Sequence, residues 1–114
     1  MPKVPLSVPS LKGNELKYVK DCIDTEWISS AGNYVDLFEK KISEYTGAKY
    51  AIACVNGTSA IQISLHIANV KFDDEVIVPT LTFIAPVNAI AYNGANPIFM
   101  DSDQWYNIDS EKVL

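Results

Sequence analysis

At 114 residues the chain is long enough for one ordinary domain with a real core, and 48% hydrophobic against 20% charged residues excludes the disordered and collagenous classes. A net charge of -5 and a pI near 4.6 argue against a broad nucleic-acid-binding face, because phosphate backbones are held by clustered Lys and Arg. The longest apolar runs are too short to span a bilayer and Met1-Pro2-Lys3-Val4-Pro5 lacks the apolar centre of a signal peptide, so a cytoplasmic protein with no membrane contact is expected.

The first dozen residues carry Pro2, Pro5 and Pro9, resist helix and read as an extended arm. A helix capped by Asn14 follows, with Leu16, Val19, Cys22 and Ile23 on one side through about Asp24. Thr25-Glu26-Trp27-Ile28-Ser29-Ser30-Ala31-Gly32 has no helical period and sets an aromatic among small polar residues. That composition suits a loop lining a site, and equally a connector whose Trp27 plugs the core. From Asn33 the spacing of Val35, Phe38, Ile42 and Tyr45 marks a second amphipathic helix, stopped near Thr46-Gly47.

After Gly47 short apolar runs alternate with helical segments. The runs are Tyr50–Val55, Glu75–Pro79 and Pro97–Asp101, with helices expected over Ala60–Val70 and Phe83–Tyr92. Each connection is long enough to return the chain in parallel, so the fold class is α/β, a βαβαβ parallel unit preceded by two helices. Val76-Ile77-Val78 and Ile98-Phe99-Met100 are apolar without alternation, as in strands covered on both faces. Pro86 fits a first helical turn, and Asp109 or Ser110 caps a last helix.

Asn56-Gly57-Thr58-Ser59-Ala60 stands where the first apolar run meets a helix start. Such a terminus carries free N–H groups and the positive end of the helix dipole, so it holds a phosphate without Lys or Arg. Gly57 lets the backbone come close, and Thr58 and Ser59 add hydroxyl donors. The same residues admit a plain βα turn in which Thr58 or Ser59 merely caps the helix. In parallel sheets ligands collect beyond the carboxyl ends of strands, where Thr80-Leu81-Thr82-Phe83 also lies. An aromatic ring beside a phosphate anchor suits a flat heteroaromatic phosphate, although Phe83 also reads as a core aromatic.

Cys22 and Cys54 make no metal signature and read as reduced, largely buried thiols; His66, the only histidine, has no second ligand at suitable spacing. Asp101-Ser102-Asp103 resembles a metal-binding D-x-D, but solvated strand-end carboxylates are the better reading, and no metal is expected.

Four ordered segments resemble the DegT/StrS-type sugar-nucleotide aminotransferases nearly end to end. They are Glu26–Gly32, Asn56–Ala60, Asp74–Ala85 and Gly94–Asp101, and they look most like the enzymes that make 4-amino sugars for bacillosamine or nonulosonic acids such as legionaminic acid. The resemblance implies a pyridoxal phosphate enzyme of the aspartate aminotransferase fold (fold type I), moving an amino group from glutamate to a keto sugar on a nucleotide carrier. By position, Gly57, Thr58 and Ser59 would hold the cofactor phosphate and Phe83 would stack on the pyridine ring. Leu6, Glu26, Trp27, Ile28 and Ser29 would touch the nucleotide sugar. Family members are homodimers, so some contacts would come from a partner chain.

The resemblance also implies domains at 1–32 (arm, helix and substrate-side loop) and 33–114 (first part of the cofactor-binding large domain). No catalytic residue is expected within this chain, since the family's cofactor-bearing lysine and the Asp facing the pyridine nitrogen come later than its last motif. None of the nine lysines matches that place. The chain therefore reads as the N-terminal part of an aminotransferase. A non-catalytic remnant and a small phosphate-binding or nucleotide-binding α/β module are the alternatives.

Overall fold

The computed structural model describes residues 4, 5 and 7–113. The chain divides into two compact units, Met1–Ala53 and Cys54–Leu114.

In the first unit, α1 (Glu15–Asp24) and α2 (Asn33–Thr46) form where the apolar spacing predicts them. Asn14 precedes α1, but its side chain makes no capping bond. The Glu15 carboxylate folds back instead to accept the Gly13 N–H at 2.8 Å. α2 stops because Gly47 adopts φ 73, and its N–H donates to the Ser43 carbonyl at 3.0 Å. Pro5 and Pro9 lie in a segment without regular structure, as expected.

α1 ends in a motif where the first residue past the cap is left-handed. Glu26 has φ 58, its N–H donates to Ile23 and the Trp27 N–H reaches back to Cys22 at 2.9 Å. The helices of the second unit end the same way, with Asn69 (φ 66) after α3 (Gly57–Ile67) and Gly94 (φ 74) after α4 (Ile84–Tyr92). Gly and Asn tolerate that conformation. Glu does not, at a cost of roughly 1–2 kcal/mol.

The second unit holds a parallel pair, β1 (Glu75–Pro79) and β2 (Asn96–Met100), in the register Ile77 to Ile98, joined through α4. The expected first strand, Tyr50–Val55, is not one. A strand exists only through a ladder partner, and no described segment pairs with this run; Cys54 within it is exposed rather than buried. The core is Val78, Ile90 and Ala95, with Leu65, Val70, Val76 and Val87 packed around it. Ile77 and Ile98 are each 40% exposed, so the expected cover on both faces is not met among the described residues. α4 packs on the strands, whereas α3 packs on α4.

Asn93 ties those helices together, its side-chain amide donating to the Ala89 carbonyl at 2.8 Å and the Gln62 carbonyl at 3.2 Å. Past β2, Asp103 nucleates a turn by accepting the Trp105 and Asn107 N–H groups, and Asp109 caps the short 3-10 helix Ser110–Lys112. The Asp101 carboxylate accepts the Ser102 N–H, and no cluster of metal-ligating side chains occurs among the described residues. Among those residues, too, no helix is long and apolar enough to cross a membrane.

Candidate functional site

The start of α3 is built around Asn56. Its backbone is extended, its carbonyl accepts the Ala60 N–H at 3.1 Å, and its side-chain oxygen accepts the Ser59 N–H at 2.9 Å. The cap is therefore Asn56, not Thr58 or Ser59. The helix begins at Gly57, earlier than the apolar spacing alone suggests, because a good cap lets the first turn form before the first apolar position.

That division of labour leaves a defined donor set. Among the described residues, the backbone N–H groups of Gly57 and Thr58 and the hydroxyls of Thr58 and Ser59 have no hydrogen-bond partner. A β-carbon built on Gly57 would meet nothing within 4 Å, so the approach to these donors is open. Two N–H groups, two hydroxyls and the positive end of a helix dipole fit a phosphate dianion.

The second predicted loop follows β1. Pro79 has no N–H, and the ladder continues one residue further, with both the N–H (2.8 Å) and the hydroxyl (3.2 Å) of Thr80 donating to the Met100 carbonyl. Sequence reasoning missed this role, for which a hydroxyl just after a strand-end proline is the signal. The bond fixes where the loop leaves the sheet. Phe83 then precedes α4 and is 87% exposed, forming a shallow depression with Leu81 and Thr82. It is not a core aromatic. The depression does not include Thr58 or Ser59.

In the first unit, Trp27 and Ser29 line one cleft of about 390 Å³ together with Asp21, Thr25, Gly32 and Tyr34. Trp27 is 57% exposed, so it borders this cleft rather than plugging a core. Its indole N–H donates to the Ala31 carbonyl. The Tyr34 hydroxyl donates to Asp21 at 2.9 Å, which pushes the phenol pKa up because ionisation would set two anions face to face. Ile28 borders a separate apolar depression with Tyr18, Val19 and Ile23, and Glu26 lines neither cleft. Leu6 lies outside the described residues.

The parallel βαβ unit, preceded by the α3 helix start, superposes on pyridoxal phosphate-dependent sugar aminotransferases, which sets the chain among the fold type I transferases as part of their large domain. The pattern of the DegT/DnrJ/EryC1/StrS aminotransferase family matches residues 9–114, and the chain belongs to this family. It is 45% identical to GDP-perosamine synthase of Caulobacter vibrioides, over 99% of this chain and 31% of that protein. It is 52% identical to the enzyme of that name from Escherichia coli O157:H7, over 90% of this chain and 28% of that one.

Among solved structures, a DegT DnrJ EryC1 StrS aminotransferase from Brucella abortus superposes with a TM-score of 0.77 at 37% identity, covering 88% of this chain and 27% of its own. The PLP form of a Streptococcus pneumoniae protein described as a sugar aminotransferase gives 0.78 at 30%, over 88% and 25%. The chain thus spans about a third or less of the proteins it resembles.

Proposed function

We propose that this chain supplies the phosphate anchor and the substrate-side loop of a pyridoxal phosphate-dependent aminotransferase that converts a nucleotide-linked keto sugar to an amino sugar, with glutamate as donor. The reading places the enzyme in the cytoplasm, in surface-glycan or nonulosonic acid synthesis, as a homodimer. Residues 1–32 form its arm and substrate-side segment, and 33–114 begin its cofactor-binding domain. The observation that carries the proposal is the start of α3, where Asn56 takes over capping and leaves the donors of Gly57, Thr58 and Ser59 to a phosphate.

Each group has a stated task. The N–H groups of Gly57 and Thr58 and the hydroxyls of Thr58 and Ser59 donate to phosphate oxygens, anchoring the cofactor by its tail. The exposed Phe83 ring offers a face to the pyridine, worth about 0.5–1.5 kcal/mol beyond area burial, which orients the ring. The segment Glu26–Ser29, with Leu6, meets the nucleotide sugar. When bound, pyridoxal phosphate supplies the electron sink that amino transfer requires. The names of the perosamine synthases support a nucleotide-linked sugar as substrate.

The test is incubation of the complete enzyme that carries this segment, since the segment by itself holds no cofactor-bearing lysine and should transfer nothing, with pyridoxal phosphate, nitrogen-labelled glutamate and GDP-4-keto-6-deoxymannose. Label is expected in a nucleotide-linked amino sugar. Retention of cofactor and sugar with no label transferred would reduce the chain to a binding module. Thr58→Val, which removes one hydroxyl at constant volume, is expected to weaken cofactor binding by roughly tenfold or more, as for loss of a hydrogen bond to a charged group.

A further inference from the structure

Gly32 has φ 153 with ψ 173, a region only glycine enters readily. A β-carbon built there would fall 1.8 Å from Nε1 of Trp27 and 2.3 Å from its Cδ1. The indole edge thus occupies the space a side chain at position 32 would need. The same edge is held by the Ala31 carbonyl, so Nε1 is spent within the protein.

A tryptophan that is 57% exposed yet locked along one edge has only its ring face to offer the cleft it shares with Asp21, Thr25 and Tyr34. A fixed π-face with its polar atom already satisfied recognises another flat π-system, not a hydrogen-bonding group. Within a nucleotide sugar the flat part is the base. We propose that Gly32 is a positioning residue: it seats the Trp27 indole against its own backbone, and the exposed indole face stacks on the nucleobase of the sugar carrier. This rests on the reading above in which Trp27 touches the nucleotide sugar.

The experiment uses Trp105→Phe protein, so that emission reports Trp27 alone, with guanosine diphosphate as the probe. Guanosine diphosphate should quench Trp27, and inorganic pyrophosphate should not. Trp27→Ala should weaken guanosine diphosphate binding at least about fivefold, the low end for loss of one base–aromatic stack. Gly32→Ala should weaken it comparably, and the double variant should be no weaker than either single one. Cofactor affinity at the Thr58 anchor should be unchanged in all three.

Should Gly32→Ala fail to fold, Trp27→Phe tests the same claim without a collision. It keeps a ring but drops the Ala31 bond. With affinities read by equilibrium dialysis of guanosine diphosphate, it should bind more weakly than the parent yet more tightly than Trp27→Ala, and parental affinity would overturn the need for a seated indole edge. Losses in Gly32→Ala and Trp27→Ala that simply multiply would overturn the positioning role while leaving the substrate-side reading intact. Undiminished binding by Trp27→Ala would overturn both.

Discussion

The side-chain oxygen of Asn56 accepts the Ser59 N–H at 2.9 Å, and this single bond decides what the first turn of α3 has left to give. Because the cap comes from the residue before Gly57, both hydroxyls that follow stay available. Asn56→Ala is expected to destabilise the chain by about 1 kcal/mol through loss of the cap. Asn56→Asp should keep the stability yet weaken phosphate binding, since it sets a carboxylate beside the anion. Denaturant melts paired with pyridoxal phosphate titrations separate the two effects.

Glu26 carries the left-handed position that ends α1, the role filled by Asn69 and Gly94 at the ends of α3 and α4. Glu26→Gly should therefore stabilise the protein by about 1 kcal/mol, read as a rise in melting midpoint. If the strained carboxylate serves the nucleotide sugar, the same variant loses substrate affinity. A stabilised variant with full affinity would leave the strain without a substrate role.

Phe83 is 87% exposed, so Phe83→Ala should change stability by less than about 0.5 kcal/mol. Cofactor affinity should fall by a factor of roughly 2 to 10, the loss expected of one stacked ring. Ile90→Ala, at a residue 3% exposed in the core, should do the opposite, costing about 2–5 kcal/mol. Melting curves and cofactor titrations on both variants test this crossing pattern.

Tyr34 donates to Asp21, and the bond raises the tyrosine pKa. The folded state holds the phenolic proton more tightly than the unfolded chain. The resulting stabilisation is thus fully present below the unfolded tyrosine pKa and is lost as pH rises through the higher folded value. Asp21→Asn should bring the Tyr34 titration back toward the ordinary tyrosine range. Ultraviolet titration of single-tyrosine differences between the parent and Tyr34→Phe reads it directly.

Half-buried Asn93 bonds to the carbonyls of Gln62 and Ala89, bridging α3 and α4. Asn93→Ala should cost roughly 1–3 kcal/mol, because the helix-terminal and interhelical carbonyls lose their shared donor. Hydrogen exchange along Gly57–Ile67 should quicken more than along Glu75–Pro79, since the bond reaches α3 and not the sheet.

The helices, the parallel crossover and the anion-ready turn were legible in the sequence because each is set by local rules: apolar spacing on α1 and α2, Gly47 as a stop, and Asn-Gly-Thr-Ser at a helix start. Other features depend on neighbours that local pattern cannot name. Tyr50–Val55 has strand composition, but a strand is a property of a pair, and no described segment pairs with it. The sequence leaves Trp27 open between core and cleft; the folded chain leaves its ring 57% exposed, with its edge against Gly32. Likewise, the sequence pointed to Thr58 or Ser59 as the cap of α3, whereas the cap is Asn56. Only the folded backbone, by placing the Ser59 N–H within reach of the Asn56 side chain, settled which atoms remain for a ligand.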